Sequence, residues 1–143
     1  MTFRHAENKD IMSIYNIGQA VFDLHNWSIN SIKKYMPPCQ NKNIWVYEFE
    51  NKIIGYIIEQ RCQDEIELLS IAIDKTFQSK GFGKFFLIKF LQNIPANSSV
   101  FLEVKRSNLV AIKLYIDLKF IKISERKNYY HDGEDAILMH YKN

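Results

Sequence analysis

Gln78-Ser79-Lys80-Gly81-Phe82-Gly83 is the stretch of this chain whose residue types and spacing most directly suggest chemistry. It lies between a strand-like run, Leu68-Leu69-Ser70-Ile71-Ala72-Ile73, and a helix-like run over 84–94, at a turn from sheet into helix. Such a turn can hold phosphate. The first N–H groups of a helix lack intrahelical partners, the macrodipole adds about half a positive charge there, and glycines let the backbone close on an anion. Two familiar phosphate loops do not fit. A Walker loop needs a glycine five residues before Gly83 and a hydroxyl after Lys84, and Gln78 and Phe85 stand there instead. A dinucleotide fingerprint accepts Gly81, Gly83 and the later acidic Glu103, but Phe86 takes its third glycine position, where helix and strand must pack closely. A third pattern, Gln/Arg-x-x-Gly-x-Gly/Ala, is filled at each fixed position by Gln78, Gly81 and Gly83.

The elements that must position this loop alternate between strand and helix. Residues 2–6 read as a short strand, and residues 7–10 supply capping and acidic groups for a helix with Ile11, Ile14, Tyr15, Gly18, Val21 and Phe22 on one stripe. A polar segment, His25-Asn26-Trp27-Ser28, leads to a short helix that ends by Met36, before Pro37-Pro38. Residues 44–49 and 53–59 form a hairpin about Glu50-Asn51-Lys52, and residues 65–73 extend it to an antiparallel meander. After the loop, Phe82, Phe86, Phe90 and Ile94 recur by fours beside Leu87 and Leu91, a helix face packed on a sheet; core packing accounts for this aromatic stripe without a cofactor. Residues 100–105 make another strand, Ser107 caps a helix over 108–118 with Leu114 and Leu118 inward, and strands over 120–123 and 135–141 follow. The order β-α-α-β-β-β-α-β-α-β-β predicts an α/β chain with a mixed sheet, parallel where a helix crosses over and antiparallel elsewhere.

The bounds on function are broad but useful. With 143 residues, 47% of them apolar, the chain reads as one domain over 1–143. No apolar stretch approaches the roughly 20 residues of a membrane span, and Met1-Thr2-Phe3-Arg4-His5 lacks the apolar block of a signal peptide, so a cytoplasmic location without membrane contact is expected. Cys39 and Cys62, far apart, read as two reduced thiols. Net charge is +3, divided as −2 over residues 1–70 and +5 over 71–143, so the half with the glycine loop is the one that would draw a polyanionic small ligand. Lys33-Lys34 and Lys105-Arg106 are only pairs, which speaks against direct nucleic-acid binding. His5, His25, His131 and His140 share no ligand-like spacing, and no metal is expected.

The glycine loop resembles the pyrophosphate loop of the GNAT superfamily of acetyl-CoA-dependent N-acetyltransferases. Further segments carry the likeness in order along most of the chain: Trp27-Ser28; Leu69-Ser70-Ile71-Ala72-Ile73; Leu102-Glu103-Val104 with Ser107-Asn108; Ala111-Ile112 with Leu114-Tyr115; and Arg126-Lys127-Asn128-Tyr129-Tyr130 before Glu134-Asp135-Ala136-Ile137. The last two groups are similar to the ribosomal-protein-alanine N-acetyltransferases of RimI type. The resemblance implies a GNAT fold, a central mixed and mostly antiparallel sheet of about seven strands flanked by about four helices. It also implies acetyl-CoA as cosubstrate, no metal, and as acceptor the N-terminal α-amine of a protein, an alanine on a ribosomal small-subunit protein. A lysine, a polyamine or another small amine is the alternative acceptor, and a non-catalytic acetyl-CoA-binding module is the alternative of another class.

Acetyl transfer needs a neutral amine, because an ammonium has no lone pair to attack a thioester. An α-amine, with a reference pKa of about 8, loses its proton far more readily than lysine at about 10.4. By resemblance, Glu103 is the general base, acting directly or through water, and Tyr115 is the acid for the departing thiolate. The backbone of Ile71, Ala72 and Ile73 would meet the pantetheine arm and acetyl group, Gln78, Ser79, Lys80, Gly81, Phe82, Gly83 and Lys84 the pyrophosphate, and Asn108 the cofactor. Trp27, Tyr129 and Tyr130 would stand around the acceptor peptide. One departure is visible: the proline common before this loop is replaced by Asp74-Lys75-Thr76-Phe77, which predicts a looser loop entry.

Overall fold

A computed structural model describes residues 1–143 apart from the side chain of Leu24. The elements run β1 (Thr2–His5), α1 (Ile11–Phe22), α2 (Ile29–Lys33), β2 (Lys42–Phe49), β3 (Lys52–Cys62), β4 (Glu65–Ile73), α3 (Phe82–Gln92), β5 (Ser99–Lys105), α4 (Leu109–Asp117), β6 (Ile121–Arg126) and β7 (Ala136–Lys142). The strands form one seven-stranded sheet in the order β1-β2-β3-β4-β5-β7-β6. Neighbours are antiparallel except β4 and β5, the pair joined through α3. That is the mixed sheet the alternation of elements predicts, since two parallel neighbours need a crossover whereas antiparallel ones can be joined by a hairpin.

Both faces of the sheet are covered, and strand alternation decides which side chain goes to which face. In β2, Trp45 and Tyr47 pack with α3, while Ile44 and Val46 pack with α1 and α2. The α3 stripe behaves as its period requires: Phe86 and Phe90 are buried, and Phe86 stacks 5.2 Å from Tyr47. On the other face Ile11, Ile14 and Ile17 of α1 and Ile32 of α2 fill a second cluster. Among the described residues no helix is long and apolar enough to cross a membrane.

The start of α1 is locked by charge. Asp10, 4% exposed, accepts from the Glu7 N–H at 2.8 Å and from Arg4 at 2.7 and 3.2 Å, while Arg4 also reaches Glu48 of β2. Burial works to raise the Asp10 carboxyl, but these hydrogen bonds outweigh it and hold the group below its usual range.

The feature that makes a site is a split in the sheet. The parallel ladder runs from Glu65↔Ser99 to Leu68↔Leu102 and stops there, although both strands continue. On the opposite edge of β4 the register with β3 jumps from Glu59↔Leu68 to Ile58↔Ser70, leaving Leu69 as an extra residue. A bulge bends the strand that carries it. β4 therefore leans away from β5 beyond Leu68, and a wedge opens between them.

Candidate active site

The wedge is a cleft of about 450 Å³. Leu68 to Ile71 line one wall and Leu102 to Lys105 the other; Val21, Phe22, His25 and Trp27 close it on the α1 side, and Asn108, Tyr115 and Tyr130 complete it. Six of the sequence-derived candidates thus meet in one place: Trp27, Ile71, Glu103, Asn108, Tyr115 and Tyr130. Tyr129 lies just outside, lining an adjoining depression of about 200 Å³ that shares Glu103 and Tyr130 with the cleft.

Strand alternation aims Glu103. Leu102 and Val104 face the α3 core, so Glu103 points to the opposite face, one residue past the last pairing of β5 with β4. Its Oε1 lies 3.3 Å from Arg126 Nε. Hydrogen bonding to Glu103, with the charge of that carboxylate, pushes the Tyr129 phenol upward.

Tyr115 arrives from α4, where it is the buried side chain of the helix, 6% exposed, while Leu118 packs half-buried against the same core. Its ring rests 5.6 Å from that of Phe120. Burial, with Tyr130 adding to it, raises its phenol to about 12, and burial first and Glu103 second raise Tyr130 to about 12. Both are proton donors throughout the neutral range.

The cap of α4 corrects one expectation. Asn108, not Ser107, is the capping residue: its Oδ1 accepts from the Ala111 N–H at 3.2 Å. Ser107 instead donates its N–H to Glu134 Oε1 at 2.9 Å, because the segment before β7 folds back over this corner.

The glycine loop stands at the far end of β4, reached directly from the cleft along Ile71, Ala72 and Ile73. Ala72 is buried against α1, Ile73 half-buried against α3. Past Leu68 this stretch pairs only with β3, so the main chain on its other edge has no strand neighbour. The loop entry is not loose. Asp74 Oδ1 accepts from the N–H and hydroxyl of Thr76 at 2.9 and 2.8 Å, fixing the turn over Lys75–Phe77 where a proline was missed. The Gln78 amide donates to the Ile73 carbonyl at 2.9 Å, tying the loop back to the strand. Ser79 and Gly81 adopt φ of 61° and 86°, and α3 begins at Phe82, two residues before the apolar pattern suggested, because Gly81 caps it in the left-handed region. Phe85 N–H donates to Gly81 O at 3.1 Å, so the N–H groups of the preceding turn point out along the helix axis. Exposed Lys80 and Lys84 flank them. These features together suit a diphosphate attached to a long arm that follows the free edge of β4 into the cleft.

Residues 11–120 match the Acetyltransferase (GNAT) family. The chain belongs to that family. As a GNAT it is an acyltransferase that uses acetyl-CoA. It is 35% identical over 136 residues to a [ribosomal protein bS18]-alanine N-acetyltransferase from Haemophilus influenzae, an alignment covering 91% of this chain and 90% of the relative. It is 38% identical over 99 residues to the protein of that description from Haemophilus ducreyi, covering 65% of this chain and 68% of the relative. The crystal structure of the ribosomal-protein-S18-alanine N-acetyltransferase from Escherichia coli superposes with a TM-score of 0.86 at 29% identity, over 99% of this chain and 92% of that one. The seven-stranded sheet with its split parallel pair is the GNAT fold inferred from the order of elements and the loop motif.

Several contributors to this GNAT site carried no signal of their own in the sequence. Arg126 lay inside a segment quoted for its family likeness, yet nothing in its spacing revealed the contact with Glu103. His25, which lines the cleft, stacks on His131 at 5.4 Å with the planes 6° from parallel. Asn26 is held by a donation from its Nδ2 to Tyr15 O at 3.0 Å and packs on Gly18, where a Cβ would fall 2.1 Å from its Oδ1. These contacts shape the segment that bears Trp27, and only the packed chain brings them about.

Proposed function

We propose that this enzyme transfers the acetyl group of acetyl-CoA directly to the α-amine of a protein N-terminus, an alanine of a ribosomal small-subunit protein. The observation that carries the proposal is the entry of Glu103 and Tyr115 into one cleft from two different elements, at the point where β4 and β5 part. The names of the relatives supply the acceptor.

Acetyl-CoA, held by the loop from Gln78 to Lys84 and by the free edge of β4, supplies an activated thioester. Every other task falls to the chain. Main-chain N–H groups on the free edge of Ile71 to Ile73 orient and polarise the carbonyl, because past Leu68 no strand pairs with that edge. Glu103 removes the proton that makes the acceptor an ammonium, directly or through a water, and Tyr115, protonated at neutral pH, donates toward the sulfur as it leaves. Asn108 contacts the cofactor at the rim with the amide nitrogen that its capping role leaves over. Trp27, Tyr129 and Tyr130 wall the entry of a chain end.

The test offers acetyl-CoA with an alanine-starting peptide, the same peptide N-blocked but containing lysine, and a polyamine, and locates the acetyl mass by fragmentation. Acetyl on the free α-amine is expected. Label on the lysine of the blocked peptide with none on the α-amine would sink the proposal. Glu103→Gln should retain CoA binding while losing about 10²–10⁴-fold in turnover.

A further inference from the structure

Arg126 ends β6, opposite the first residue of β7. Its guanidinium does two things at once: Nε sits 3.3 Å from Glu103 Oε1, and Cζ lies 5.5 Å from the centre of the Tyr129 ring. Among the described residues Glu103 is the one carboxylate within ion-pair distance of it. Nearby cations are otherwise engaged. Lys105 is held by Asp132 at 2.7 Å and Arg106 by Glu125 at 2.6 Å. Glu67, which lines the adjoining depression with Glu103, adds negative charge to the same corner.

The ammonium of an acceptor must reach the carboxylate that Arg126 already faces, and two cations cannot share that oxygen closely. Arg126 has a second support. Its side chain is 55% exposed, and the face of Tyr129, three residues along the same segment, already supports the guanidinium and can keep it when the carboxylate is taken.

We propose that Arg126 is a positioning residue for the acceptor: it holds the Glu103 carboxylate in place and yields it, keeping its rest on Tyr129, only to an incoming primary ammonium. Resting on the acetyl-transfer reading above, this makes a charged chain end compete with the guanidinium for one carboxylate, a competition that a neutral group of the same shape does not enter. Exposed ion pairs are weak, so the exchange costs the acceptor only about two- to fivefold in affinity.

The experiment compares wild type, Arg126→Gln and Arg126→Lys, each with CoA bound. Calorimetry measures binding of an alanine-starting peptide and of its analogue lacking the amino group; steady-state kinetics separates acceptor KM from kcat; and the Nε–H resonance of Arg126 is followed by NMR. In Arg126→Gln the alanine peptide should bind about two- to fivefold more tightly, with the change in KM rather than kcat, and the deaminated peptide should bind the two proteins alike. Arg126→Lys should restore wild-type behaviour. The Arg126 Nε–H signal should lose its ion-paired shift in Glu103→Gln and on saturation with the alanine peptide, but not with the deaminated one. Weaker or unchanged peptide binding in Arg126→Gln overturns the proposal, as does a signal that Glu103→Gln leaves unmoved. A wild type that binds the peptide and shifts the signal but acetylates no α-amine overturns the acetyl-transfer reading instead, and leaves the ammonium exchange standing.

Discussion

Tyr115→Phe isolates one oxygen atom. The ring it leaves behind is 6% exposed and packed 5.6 Å from Phe120, so the variant keeps the volume and the aromatic contact that hold α4 to the sheet. A general acid contributes about 10²–10⁴-fold, equivalent to about 3–5 kcal/mol of barrier, and that is the loss expected in kcat. Because burial raises the phenol to about 12, the wild-type group is protonated at pH 7 and pH 9 alike, and the fold-loss should be the same at both. Removing a buried hydroxyl changes stability by about 1 kcal/mol in either direction, which moves Tm by no more than about 5 °C. The assay is release of CoA thiol, read with a disulfide reagent on an alanine-starting peptide, alongside calorimetric CoA binding and a thermal melt. Turnover within about threefold of wild type refutes the assignment of Tyr115 as acid. A fall in rate that merely follows a fall in Tm refutes the separation of catalysis from packing.

Other consequences follow from packing and charge. Tyr56, Tyr115 and Tyr130 are all raised to about 12, a shift that favours the neutral folded form; the stability it contributes is complete below about pH 10 and fades as pH rises toward 12, visible as a steep alkaline limb in denaturant midpoints that is shallower in Tyr115→Phe. Asp10 is shifted the other way, so its contribution is present above about pH 4 and disappears on acidification; Asp10→Asn should lose about 1–3 kcal/mol at pH 7 and flatten the acid limb of chemical denaturation. Gly18→Ala drives a Cβ against Asn26 and to 2.8 Å from the Tyr56 hydroxyl, and should cost about 1–3 kcal/mol while raising acceptor KM more than acetyl-CoA KM; an unchanged melt would show that Asn26 moves freely. Gly81→Ala meets open space but keeps φ at 86°, so it should cost only about 1–2 kcal/mol in backbone strain and appear chiefly as weaker CoA binding in titration calorimetry.

What the chain reveals by itself is whatever depends on neighbours in sequence. The fourfold spacing of Phe82, Phe86, Phe90 and Ile94 identified a sheet-facing helix, because side chains three and four apart share a face whatever surrounds them. Gln78, Gly81 and Gly83 marked the turn from strand into helix, because a left-handed cap and outward N–H groups are local properties of such a junction. Local reasoning also erred where two local solutions compete. Ser107 and Asn108 are both good caps, and in the fold it is Asn108 Oδ1 that accepts from the Ala111 N–H, while the Ser107 N–H is tied to Glu134, 27 positions away. Asp74 replaced an absent proline by an Asx turn, a second route to the same rigidity. The arrangement of the cleft is a matter of register. Whether Glu103 and Tyr115 meet depends on the parallel ladder ending at Leu68↔Leu102 and on Leu69 standing out of the β3–β4 pairing, which no residue type announces. The contact of Arg126 with Glu103 and the stacking of His25 on His131 likewise join segments far apart in the chain. Sequence determined which groups were available for acetyl transfer; the tertiary structure decided which of them share a cleft, because a bulge and a broken ladder are properties of paired strands and not of either strand alone.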